Sequence, residues 1–106
     1  LTLVTGVQTC ALPIWKYQEK EGPAVAEPML LALGYDEAVI DRVLFLIAHH
    51  HTYNEIEGLD YQILVEADFL VNLFEDGSSR EAAQKVQKNI FKTNTGTKYL
   101  SDLFLN

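Results

Sequence analysis

The sequence predicts an all-α fold. From Trp15 onward apolar residues recur at three- and four-residue spacing, and no stretch alternates apolar and polar residues as a half-buried strand would. Helix-start residues (Asp36, Asp60, Ser78) and helix-stop residues (Gly34, Gly77) bracket the apolar runs. No internal repeat interrupts the pattern. A chain of 106 residues holds one domain with a modest core.

Each element has its own signals. Gly22-Pro23 opens the first helix, with Pro23 suited to the first turn, where a missing N–H costs nothing. Val25, Met29, Leu30 and Leu33 form its apolar side, and Gly34 suits the position just past its end. Pro28 lies inside that helix and should bend it or loosen its first turn. Asp36 is placed to cap a second helix running to about His50. There Val39, Ile40, Val43, Leu44, Leu46 and Ile47 cover more than half the circumference, which predicts the central, most buried helix. Tyr53 to Leu59 reads as a polar loop closed by Gly58. Asp60 caps a third helix to about Glu75, with Ile63, Leu64, Ala67, Leu70, Val71 and Phe74 inward, and Asp76-Gly77 ends it. Ser78 and Glu81 have capping-box spacing for a fourth helix carrying Ala82, Val86, Ile90 and Phe91. Thr93 to Thr97 is expected to turn, before a short terminal helix with Tyr99, Leu100, Leu103 and Phe104.

Composition narrows the class of function. Hydrophobic residues make up 48% and charged residues 22%, an ordinary globular balance. A net charge of -7, with Lys and Arg scattered, argues against binding a nucleic-acid backbone. No apolar run reaches the ~18 residues of a membrane span. A single cysteine cannot close an internal disulfide, which fits a reducing cytoplasm. Residues 1–14 stand apart because they carry no charge, and they lack the basic start of a signal peptide. The run from Val4 to Ile14 resembles the in-frame translation of a common sequencing adapter. Residues 1–14 are therefore expected to be a non-native leader, with Cys10 foreign to the protein, and residues 15–106 the C-terminal part of a single helical domain.

All three histidines sit together as His49-His50-His51 at the end of an apolar helical run. Asp68 follows on the next helix. Imidazole and carboxylate from packed helices suit a divalent metal that binds phosphate. Consecutive helical residues point about 100° apart, so three adjacent histidines cannot all reach one ion. The plain alternative is a polar helix C-terminus, where protonated histidine complements the dipole. Leu64 and Val71 flank Asp68 at one-turn spacing and turn it partly inward, where a carboxylate needs a partner. Asn72, one turn on, is placed to orient it.

Tyr17 to Glu27 (Tyr-Gln-Glu-Lys-Glu-Gly-Pro-Ala-Val-Ala-Glu), Leu33-Gly34-Tyr35-Asp36, Ile47 to Tyr53 and Asp60 to Asp68 together resemble the C-terminal part of an HD-domain phosphohydrolase. The likeness covers nearly everything from Tyr17 on. It implies an all-helical bundle of the HD type, incomplete at its N-terminus, that binds one or two divalent metals. By this pattern Asp68 matches the distal metal-ligating Asp. His50 and His51 match the preceding His-His pair, one on the metal, for which His50 is the candidate, and one on the phosphate. The first His and the His-Asp dyad of the family have no counterpart here. Some two-metal members carry a His four residues before the glycine matching Gly22, where this chain has Gln18, so a single metal is expected.

For the intact parent the resemblance implies hydrolysis of a phosphate ester, of a nucleotide or another small phosphomonoester. The cofactor would be a divalent ion: Mn, Fe, Mg, Ni, Co or Zn. Asp68 would fix that ion, while His50 or His51 would bind phosphate or pass a proton to the leaving oxygen. The fragment alone is expected to be inactive. The alternative is a non-catalytic helical regulatory or interaction module with surface histidines.

Overall fold

The computed structural model describes residues 14–106. The fold is all-α: 76% of these residues are helical, and no strand occurs among them. In chain order the helices are α1 (Ile14–Ala32), α2 (Glu37–His49), α3 (Leu59–Glu75), α4 (Arg80–Asn89) and α5 (Asn94–Leu100), followed by a π-helical turn at Ser101–Leu105. None is long and apolar enough to cross a membrane. The chain divides into two compact units, Leu1–Thr52 and Tyr53–Asn106. The charge-free leader, Cys10 included, lies outside the described residues save for Ile14, the first residue of α1.

The first unit is a hairpin of α1 against α2. Its first helix begins nine residues before Pro23, so Gly22-Pro23 is not a helix start. Pro23 and Pro28 both lie inside α1 and, lacking an N–H, cannot give the usual one-turn bonds to the carbonyls of Glu19 and Ala24. Gly22 has a packing role instead, since a Cβ there would stand 2.6 Å from Ile47 Cγ2. That hydrogen-sized side chain lets α1 approach α2. Gly34 ends α1 as its position predicts. Its φ of +81° is open to glycine, while Gly34 N–H donates to Leu31 O and Tyr35 N–H to Leu30 O. Asp36 precedes α2 with extended backbone, but its side chain makes no capping bond. Nor is α2 the most buried helix. Ile40 is its one buried residue, and Val39 is 44% exposed.

The second unit is built on α3, whose buried residues are Tyr61, Gln62, Val65, Glu66 and Leu73. This face is rotated away from the expected one: Ile63, Leu64, Val71 and Phe74 are exposed, Phe74 by 78%. Apolar residues occur all round α3, so apolarity did not identify the buried side. A buried acid does. Glu66 is 2% exposed, and its Oε2 accepts from Lys92 N–H (2.8 Å), Thr93 N–H (3.0 Å) and Gln62 Nε2 (2.6 Å). Gln62 Nε2 also donates to Ile90 O at 2.8 Å. The Thr93 hydroxyl donates to Glu66 Oε1 and accepts from Gly96 N–H at 3.0 Å.

One carboxylate thereby ties the α4–α5 connection to α3 and starts α5. The expected turn over 93–97 is in fact the first turn of that helix. Gly96 is needed because a Cβ there would lie 1.9 Å from Glu66 Oε1. Around this link Leu73, Ala83, Phe91 and Leu100 form the core, with Phe69, Leu70, Val86, Ile90, Phe104 and Leu105 packed on it. The cap of α4 is Ser79, whose hydroxyl accepts from Ala82 N–H at 3.1 Å, one residue later than expected. At α3 the cap is Gly58, while Asp60 in the first turn accepts from Tyr61 N–H at 2.8 Å. Arg80 donates to Leu105 O, and Gln87 Nε2 to Ser101 Oγ at 2.8 Å, fastening α4 to the terminal turn.

Burial alone would raise the Glu66 pKa. The hydrogen bonds from the Thr93 hydroxyl, the Lys92 N–H, Gln62 and the Thr93 N–H outweigh it and hold the pKa below the ordinary 4.5. A depressed folded-state pKa adds stability that is present above the unfolded value and lost as pH falls through the folded one. Wild type is therefore expected to exceed Glu66→Gln in stability by about 2 kcal/mol at pH 7. That gap should shrink as the pH drops below 4.5. Urea unfolding followed by circular dichroism at several pH values measures it.

Gly22→Ala is expected to cost about 1–3 kcal/mol through overpacking against Ile47. The Gly22→Ala/Ile47→Ala double variant should show most of that cost relieved, read as a non-additive change in the urea midpoint.

Candidate functional site

The histidine triplet closes α2, and two of its rings first serve the helix itself. The last carbonyls of a helix lack intrahelical donors. His49 Nδ1–H donates to Phe45 O at 2.7 Å, and His50 Nδ1–H to Ile47 O at 2.9 Å. The His49 ring stacks on Phe45 with centroids 4.2 Å apart, and Arg42 stands 5.1 Å from the same Phe45 ring. Thr52 N–H then donates to His49 O at 2.8 Å and turns the chain.

His50 and His51, the pair expected to serve metal and phosphate, pack ring against ring in the first unit. Their ring centroids are 3.9 Å apart at an interplanar angle of 43°. Three residues of α1 wall the pair. Trp15 lies 5.7 Å from the His51 ring, Gln18 Oε1 is 3.4 Å from His51 Nε2, and Glu19 Oε2 accepts His51 N–H at 2.8 Å. The same Glu19 oxygen accepts from the Thr52 hydroxyl at 3.3 Å. Trp15, Gln18 and Glu19 sit at i, i+3 and i+4, on one face of α1. That spacing was visible in the sequence, but nothing there showed which face meets the histidines.

Asp68 belongs to the second unit, half-buried on α3, where Asn72 Nδ2 donates to its Oδ2 at 3.4 Å. The contact expected between Asn72 and Asp68 is therefore present. Leu64 and Val71, the residues expected to turn Asp68 inward, are themselves 37% and 54% exposed. The deeply buried acid of this segment is Glu66, spent on structural hydrogen bonds.

A bound divalent ion needs three or four donors held at about 2.0–2.3 Å. Among the described residues, no three His, Cys, Asp or Glu side chains gather in that way. The His50–His51 cluster is completed by an amide and an indole, neither a usual ligand for such ions, and Glu19 is committed to the backbone of His51. These residues taken together do not make a metal site. They do offer N–H donors, the kind of group that can hold an oxyanion. The second unit also has a groove of about 520 Å³ lined by Leu59, Ile63, Ala67, Leu70 and Tyr99 with Thr93 to Gly96 at one wall. Its lining is chiefly apolar and offers no reactive constellation.

No family model, no curated protein and no solved structure matches this chain.

Glu19 is the anchor that sets where the triplet ends. Glu19→Ala is expected to raise the amide exchange rate of His51 about tenfold, the equivalent of one lost charge-assisted hydrogen bond. The Glu66-capped unit should keep its protection. Hydrogen exchange followed by NMR reads both.

Proposed function

We propose that this chain is the C-terminal part of a metal-dependent phosphohydrolase of the HD type. Its substrate would be a phosphate ester, either a nucleotide or a small phosphomonoester. The observation that supports this most is the His50–His51 pair, packed ring to ring and walled by α1. The resemblance of segments from Tyr17 to Asp68 assigns phosphate chemistry to that pair. His50 and Asp68 would be this chain's share of the ligands for a divalent ion, and the remaining ligands would come from outside it. His50 and His51 would hydrogen-bond the phosphate or hand a proton to the leaving oxygen, roles suited to imidazole near neutral pH. By itself the chain is proposed to be inactive, since its donors fall short of a metal site.

One observation favours a second reading, a helical interaction module without catalysis. His49 and His50 donate to carbonyls of their own helix, which a C-terminal cap does with no ligand present. The two readings part in the parent protein. A longer version of the gene that encodes an upstream His-Asp dyad should yield a protein that retains a divalent ion after desalting and hydrolyses phosphomonoesters. Asp68→Ala should lower both metal content and kcat/KM at least a hundredfold. Unchanged metal content and activity in that variant would remove Asp68 from the site and favour the module. Phosphatase activity from residues 15–106 alone would overturn the proposed dependence on further ligands.

A further inference from the structure

We infer that the apolar groove along α3 is the docking site for a basic amphipathic helix of a partner protein. The groove lies wholly in the second unit, so this inference does not rest on the phosphohydrolase reading of the histidine pair. Leu59, Ile63, Ala67, Leu70 and Phe74 stand at i, i+4, i+8, i+11 and i+15, a single stripe down one side of α3. Tyr99 and Leu103, one turn apart, line the groove from α5 and the turn that follows it. Two hollows, of about 520 and 450 Å³, share Leu70 and between them touch every one of these residues.

At 1.5 Å per residue the stripe is about 22 Å long, or four helical turns. It is open to solvent, since Leu59 is 67% and Leu103 65% exposed. Apolar surface of this extent with polar edges marks a docking site, and a helix laid into the groove is the mode that suits it. An extended peptide has no strand edge to pair with among the described residues.

Charge selects the occupant. From Tyr53 to Ser79 the chain has seven acids and no Lys or Arg. Glu66 is spent inside and Asp68 is half-buried, but Glu55, Glu57, Asp60, Glu75 and Asp76 are exposed. Glu57 and Asp60 stand beside Leu59 at one end of the stripe, and Glu75 lines the groove next to Phe74 at the other. Lys98, beside Tyr99, is paired with Asp102 at 2.6 Å. A second copy would bring the same acids and a charge of -7 against them, and an anionic bilayer would repel them likewise. A helix with apolar residues at three- and four-residue spacing and Lys or Arg along its flanks matches both the stripe and its acidic ends.

The probe is a fluorescent helical peptide of about 18 residues, with leucine at i, i+4, i+7 and i+11 and lysine and alanine elsewhere. Its anisotropy is expected to rise saturably with the 106-residue chain. Replacing its lysines by glutamates should abolish binding, and an approximately tenfold rise in NaCl should weaken it about fivefold. Ile63→Ser and Phe74→Ser, one in each half of the groove, should each weaken binding about tenfold. Both side chains are exposed, so the fold persists. Met29→Ser, also exposed but in the first unit, should change nothing. In wild type, ¹H–¹⁵N spectra should show the peptide shifting amides of Leu59 to Phe74 and Tyr99 to Leu103 and leaving those of His49 to His51 in place, a readout that needs no variant.

Absent binding to wild type, equal binding of the lysine and glutamate peptides, or undiminished binding in either serine variant overturns the inference. So does a dimer in sedimentation equilibrium that Phe74→Ser dissociates, which would give the groove to a second copy. Asp68→Ala in the parent tests the enzyme alone, so failure of one reading leaves the other standing.

Discussion

The second unit depends on a single buried carboxylate. Glu66 sits on the inner side of α3 and collects donors from Gln62, Lys92 and both the backbone and hydroxyl of Thr93. A buried charge without partners would be costly. Here the partners are backbone N–H groups that the end of α4 and the start of α5 would otherwise leave orphaned. The same contact explains Gly96, since no side chain fits against the Glu66 oxygen. It also sets which side of α3 faces the core of Leu73, Ala83, Phe91 and Leu100. A salt bridge such as Lys98–Asp102, exposed and one turn apart, has no comparable effect on the fold.

The first unit solves the same problem with different groups. The carbonyls ending α2 receive N–H donors from His49, His50 and Thr52. Glu19 then holds the chain just past them through His51 N–H and the Thr52 hydroxyl. One set of contacts accordingly does two things. It caps the helix, and it fixes the His50 ring through Nδ1. The cap uses Nδ1 and leaves the other ring nitrogen, Nε2, out of that bond.

The face of α3 opposite the core carries Leu59, Ile63, Val71 and Phe74, all exposed. A helix apolar on all sides is ordinarily buried on all sides. This explains why the core-facing side could not be picked from apolar spacing. The inward pattern expected for Asp68 leaned on that apolar side. The acid that is deeply buried lies two residues earlier and shares its face with Gln62. Gln62 and Glu66 do stand at i and i+4, a spacing open to inspection. Their role needed Lys92 and Thr93, 26 and 27 residues away in sequence.

The sequence by itself determined the all-α class, nearly every helix, the glycine stop at Gly34, the terminal placement of the histidines on α2 and the Asn72 contact to Asp68. These follow from local causes: backbone propensity, the left-handed conformation open to glycine, and one-turn spacing along a helix. Tertiary structure decided what depends on distant partners. It continued α1 through Pro23 and Pro28, and it made Gly22 a contact with Ile47. It turned 93–97 from a loop into a capped helix, and it chose Gln18 and Glu19 as the wall of the histidine pair. In each of these cases the deciding atom comes from another helix, and spacing within one segment carries no information about it.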